Sequence, residues 1–122
     1  MKDYENNCYR FILNLAIELA QDYDVQYQQM DEFVRWNLPE EIALEWIDAA
    51  EMVNVLEHGK CIPKETIEVL REIISAFVLQ FEKNDKSVWT HEAMKIKTFW
   101  NIQRLNARKV LDKLELVCGE NM

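Results

Sequence analysis

Residues 63–83 read PKETIEVLREIISAFVLQFEK, and this stretch decides the fold. Within it Ile67, Leu70, Ile73, Ile74, Phe77, Val78 and Phe81 recur at spacings of three and four, so at about 100° per residue they line one side of a helix. Pro63 and Glu65 form a helix-start signal: proline lacks only an N–H that the first turn leaves unpaired, and an early acid favours the positive end of the helix dipole. The stripe predicts the central helix of a core.

The same periodicity extends in both directions. Upstream, Pro39, Glu40 and Glu41 start a second helix whose stripe is Ile42, Trp46, Ala49, Val53 and Leu56. It ends where Gly59 follows His58, a placement that predicts a left-handed C-terminal glycine. From Asp3 to about Asp22, Tyr4, Cys8, Phe11, Ile12, Leu15 and Leu19 form a first helix, with Leu13 and Ile17 off its main stripe. The run Asp22-Tyr-Asp-Val interrupts the pattern before Met30, Phe33 and Val34 suggest a short helix ending near Trp36. Downstream, residues 84–89 read as a loop and Thr90 as an N-cap. Ala93, Ile96, Trp100, Ala107, Val110, Leu111 and Leu114 give a last continuous helix. The expected fold is an all-α, single-domain antiparallel bundle over residues 1–118, with four long helices and a short one, and residues 119–122 as a frayed tail. The expected core is Ile67, Leu70, Ile74, Phe77, Phe81, Trp46, Ile96 and Trp100.

Composition removes whole classes of chemistry. The 122 residues include two glycines, Gly59 and Gly119, and two prolines. A dinucleotide loop, a Walker A loop or a nucleophile elbow each needs two or three glycines within a few residues, so all three are excluded. No four-residue stretch alternates apolar and polar with β-branched enrichment, which leaves a sheet without support. No signal peptide is read, and no apolar run approaches the ~20 residues that span a bilayer. Cys8, Cys61 and Cys118 are odd in number and more than fifty positions apart, which fits neither a disulfide framework nor a zinc pattern and points to a reduced, cytoplasmic setting.

Chemistry-bearing patterns are sparse. Val55 and Val88 stand three residues before His58 and His91, so the Glu-x-x-His pattern of bundle metal sites is absent, and no cofactor or metal is expected. Ser75 sits within the central helix, flanked by core positions. Cys61, beside His58 and Lys60, is the one thiol placed to be activated by a nearby cation.

Charge is the informative departure. Residues 1–59 carry 13 acids and three bases, whereas residues 60–122 carry 11 bases and nine acids; between Glu18 and Glu57 there are eleven acids and the single base Arg35. Such a field repels nucleic acid and anionic lipid and attracts basic proteins. On the last helix Lys97, Arg104 and Arg108 share nearly one azimuth, with Asn101 among them, and pairing with acids of a neighbouring helix accounts for them better than phosphate contact does. On helix two, Glu41, Glu45 and Asp48 run along a side away from the core stripe, and Leu44 and Val55 fall opposite Ile42 and Val53 among Glu40, Asp48 and Glu51, an apolar centre fringed by acids. Trp36 and Trp89, at helix ends, are candidate anchors.

The expectation is therefore a small non-enzymatic interaction protein with Glu41, Leu44, Glu45, Asp48, Glu51 and Val55 as its partner-binding residues. Its partner is a basic protein, by the logic of an inhibitor or a toxin-neutralising immunity protein. A homodimeric adaptor bundle, or an enzyme with a thiol or carboxylate site in a crevice, are the alternatives.

Overall fold

The structure, a computed structural model, describes residues 2–120, except for the side chains of Phe33, Val34 and residues 115–120. The protein is an all-α bundle, and no strand occurs among the described residues. The helices are α1 (Asp3–Ala20), α2 (Tyr23–Gln29), α3 (Glu32–Arg35), α4 (Leu38–Asp48), α5 (Ala50–His58), α6 (Lys64–Lys83), α7 (His91–Ile96) and α8 (Thr98–Glu120), with a 3₁₀ turn at Lys86–Val88. α8 packs along α1 and α6, α5 lies against the same two helices, and α4 lies against α6. None of the described helices is long and apolar enough to cross a membrane. α8 carries the backbone through Gly119 to Glu120, and Asn121 and Met122 of the expected tail lie outside the described residues.

α6 has the role its stripe predicts. Ile67, Leu70, Ile73 and Phe77 are fully buried, and Phe77 meets Phe99 and Trp100 of α8 with ring centroids 5.6 and 5.5 Å apart. Ile74 and Phe81 pack against the core from its edge. Trp100 also donates its indole N–H to the Val88 carbonyl at 2.8 Å, which pins the 3₁₀ turn onto the bundle. Trp89 is held in the same cluster, stacked on Phe81 at 4.4 Å and half-buried, so it is not a free anchor.

Four long continuous helices are not what forms, because two of the expected ones are broken. Helix two bends at Ala49, where ψ relaxes to −6° while Ala49 N–H still reaches the Glu45 carbonyl and Val53 N–H reaches the Ala49 carbonyl. The last helix is interrupted at Lys97, which adopts an extended ψ of 135°, with Thr90 capping α7 through Oγ1 to the Ala93 N–H at 3.0 Å. This break resets the helical phase. Ile96, expected in the core, is 65% exposed, and Met94 is buried instead. Toward the N-terminus, the expected interruption at residues 22–25 is narrower, because Tyr23 already opens α2.

Gly59 does not take the left-handed position. α5 closes with a Schellman arrangement one residue later: Lys60, at φ 55°, donates to the Glu57 carbonyl, and Cys61 donates to the Leu56 carbonyl. Gly59 keeps a helical φ of −78°. A side chain there would have to displace the Glu5 carboxylate, which accepts from the Lys2 backbone N–H and so caps α1.

Candidate interaction surface

The C-terminus of α1 explains where the basic residues of α8 are used. The last carbonyls of any helix lack intrahelical donors, and the negative end of the dipole favours cations. α1 has no basic residue of its own in its last turn. Arg104 Nε donates to the Gln21 carbonyl at 3.2 Å and Arg108 Nε to the Ala20 carbonyl at 3.1 Å, while the fully buried Gln26 donates its amide N–H groups to the Leu19 and Glu18 carbonyls. Gln21 returns its own amide to the Ile17 carbonyl. Of the expected acid pairs, Arg108 with Asp22, at 3.3 Å, is the one formed among the described residues. Arg104 is 5% exposed and bonds to neutral groups; burial pulls its pKa down from the usual value, which Asp22 partly offsets.

With those cations drawn to one end of α1, the acids of α4 are left unmatched. The ion pairs among the described residues are Arg71 with Glu57 and Arg108 with Asp22, and neither involves α4. Arg35, the one base between Glu18 and Glu57, donates to the Tyr27 and Gln28 carbonyls.

The predicted site residues divide into two groups. Leu44 is 44% exposed, and Asp48 and Glu51 are exposed with it, so an apolar side chain does stand on the outer side of α4 between acids. Glu41, Glu45 and Val55 are half-buried, and Val55 packs against the core from α5. The bend at Ala49 separates Glu41, Leu44, Glu45 and Asp48 from Glu51 and Val55.

Glu45 of α4 and Glu18 of α1 lie close enough for their charges to interact. Burial, and then the Glu45 charge, push the Glu18 carboxyl up to about 7. Glu45 is itself raised, by burial and then by Glu41. Burial and like charge thus both weigh against the ionised forms of Glu18 and Glu45. Sequence reading missed Glu18 as a member of this group, because periodicity placed it at the margin of α1 and could not show which helix it would face.

Burial and Glu5 raise the Cys61 thiol, the reverse of activation, and Cys8 is buried. Ser75, expected beside core positions, is exposed in a shallow cleft with Arg71, Glu72 and Leu79, where the lining offers no histidine. No group of three or more metal-ligating side chains occurs among the described residues. Comparison with protein-family models, characterised proteins and solved structures finds no match for the chain.

Proposed function

We propose that this protein is a non-enzymatic interaction module that engages a basic protein partner through the acid-rich outer face of α4 and the start of α5, as an inhibitor or immunity-type protein would. The observation that carries this reading is the Glu18–Glu45–Glu41 group. Burial first and a neighbouring carboxylate second raise Glu18 and Glu45, and neither joins an ion pair among the described residues, so a partner's lysine or arginine would favour their ionised forms. Exposed Leu44 supplies an apolar contact beside it, with Asp48 and Glu51 as charged rim. A reducing compartment such as the cytoplasm suits the free thiols of Cys8 and Cys61.

The test is capture of the partner from the native cell followed by binding kinetics. The partner should be basic. Leu44→Ala should speed dissociation, and Asp48→Lys should slow association. A captured partner that is acidic, or kinetics that neither substitution alters while the fold is intact, would reduce this face to a solvated helix surface.

A further inference from the structure

A second surface, independent of the acidic face, lies where α2, α3 and α7 converge. Tyr23 and Tyr27 of α2, Glu32 and Arg35 of α3, Trp36 just beyond it and His91 of α7 enclose an open groove of about 740 Å³. Small-molecule sites commonly occupy roughly 300–1,000 Å³ and combine aromatic walls with a few fixed polar groups. Trp36 is 84% exposed, leaving its indole ring free of the core.

The polar groups around the groove are already positioned by bonds within the protein. The Tyr23 hydroxyl and His91 Nδ1 are 2.6 Å apart, and burial, assisted by Tyr27, Asp24 and Glu92, keeps the phenol protonated. The short bond fixes the hydroxyl and the imidazole relative to each other and leaves Nε2 as the second polar atom of the ring. The rings of Tyr23, Tyr27 and His91 lie within 6.0 Å of one another, centroid to centroid. Arg35 is held flat above Tyr27, 4.8 Å from the ring centroid, by its bonds to the Tyr27 and Gln28 carbonyls. Glu32 adds a carboxylate acceptor.

These fixed charges select the ligand. The Tyr27 and Tyr23 rings already carry a cation each, Arg35 and Lys95, the latter at 5.1 Å, so an incoming cation meets occupied ring faces and like charge. An anion meets Glu32 in the wall and Asp24 and Glu92 beside Tyr23. A neutral ring system avoids both penalties. An indole, a guanidinium plane and phenol rings provide stacking surfaces, while a carboxylate acceptor and the imidazole Nε2 provide hydrogen-bonding partners for a heterocycle's edge.

We infer that the Tyr23–Tyr27–Arg35–Trp36–His91 groove binds a neutral, planar heteroaromatic compound of nucleobase or nucleoside size. The net charge of −8 disfavours the same bases presented on a nucleic acid strand.

The experiment titrates adenosine, adenosine 5′-monophosphate and phenyltrimethylammonium into the full chain, followed by tryptophan emission and by the indole N–H resonances. Adenosine should bind and perturb one indole resonance, which Trp36→Ala removes. That exposed substitution should leave the helical signal unchanged and weaken binding by about five-fold or more, the effect of losing one stacking platform. The monophosphate should bind more weakly than the nucleoside, and phenyltrimethylammonium more weakly still. The inference is overturned if adenosine does not bind at millimolar concentration, if Trp36→Ala binds it as well as the parent does, or if the cation or the phosphate ester is preferred.

Discussion

Arg104 and Gln26, 78 positions apart, are joined by a 3.0 Å bond from the guanidinium Nη2 to the amide oxygen, and the same amide donates from its nitrogen to the end of α1. Gln26 is fully buried and Arg104 nearly so. Gln26→Leu would therefore leave a buried guanidinium short of an acceptor and the Leu19 carbonyl without its donor, while the Glu18 carbonyl keeps the Gln21 N–H. A loss of about 2–4 kcal/mol is expected, read from chemical denaturation. Adding Arg104→Met should cost less than the sum of the single changes, because the two groups act as one network. Additive effects would show that they do not.

Phe77 tests the packing account. It has no exposed surface and meets both Phe99 and Trp100. Phe77→Ala should destabilise the fold by about 3–5 kcal/mol, a cost below about 1 kcal/mol being incompatible with a buried α6 stripe.

Stability should fall as pH rises across the neutral range. Glu18 is shifted from an ordinary value of 4.5 to about 7, so the folded protein holds this proton more tightly than the unfolded chain does. The resulting stabilisation is complete below about pH 4.5 and is lost as pH rises through about 7. Glu18 is partly exposed, and screening reduces the effect to about 1–2 kcal/mol. Glu18→Gln should remove this slope and raise the melting temperature at pH 8; an unchanged slope would show that the pair at the α1–α4 seam is not strained.

Gly59 and Glu5 should be coupled. In Gly59→Ala the new methyl group displaces the Glu5 carboxylate from the Lys2 N–H, at a cost near 1 kcal/mol, about that of a lost helix cap. In a Glu5→Ala background the same substitution should cost less, since the φ of −78° suits alanine and the Cys61 Sγ, 3.0 Å from the new methyl group, is the neighbour that has still to give. Equal costs in both backgrounds would mean that backbone conformation, and not Glu5, selects glycine.

The pattern of successes and errors in the sequence reading has a physical basis. The α6 stripe, the Thr90 cap and the burial of Trp46 and Trp100 follow from local periodicity and capping chemistry, which the chain carries within a few residues. Ile96 was misplaced because the break at Lys97 is marked by neither glycine nor proline, and one extended residue is enough to turn the preceding stripe away from the core. The bend at Ala49 is silent for the same reason. The left-handed position at Lys60 was assigned one residue early, because glycine is the residue that usually fills it. On the interaction surface, the acid excess and Leu44 were legible, whereas Glu18 facing Glu45 depends on how α1 lies on α4. The aromatic groove joins Tyr23 to His91 across 68 positions, a separation that no local pattern spans.

The acidic face of α4 as a docking surface for a basic protein is tested most directly by the association rate of the captured partner, measured by stopped flow from 0.1 to 1 M salt. Over that range the screening length shortens from about 10 Å to about 3 Å, so attraction guided by Glu41, Asp48 and Glu51 should weaken and the rate should fall steeply. A Glu41→Lys/Asp48→Lys variant should start slower and show a much flatter salt dependence. A parent rate that does not change with salt, or a variant that follows the same curve, would contradict the account.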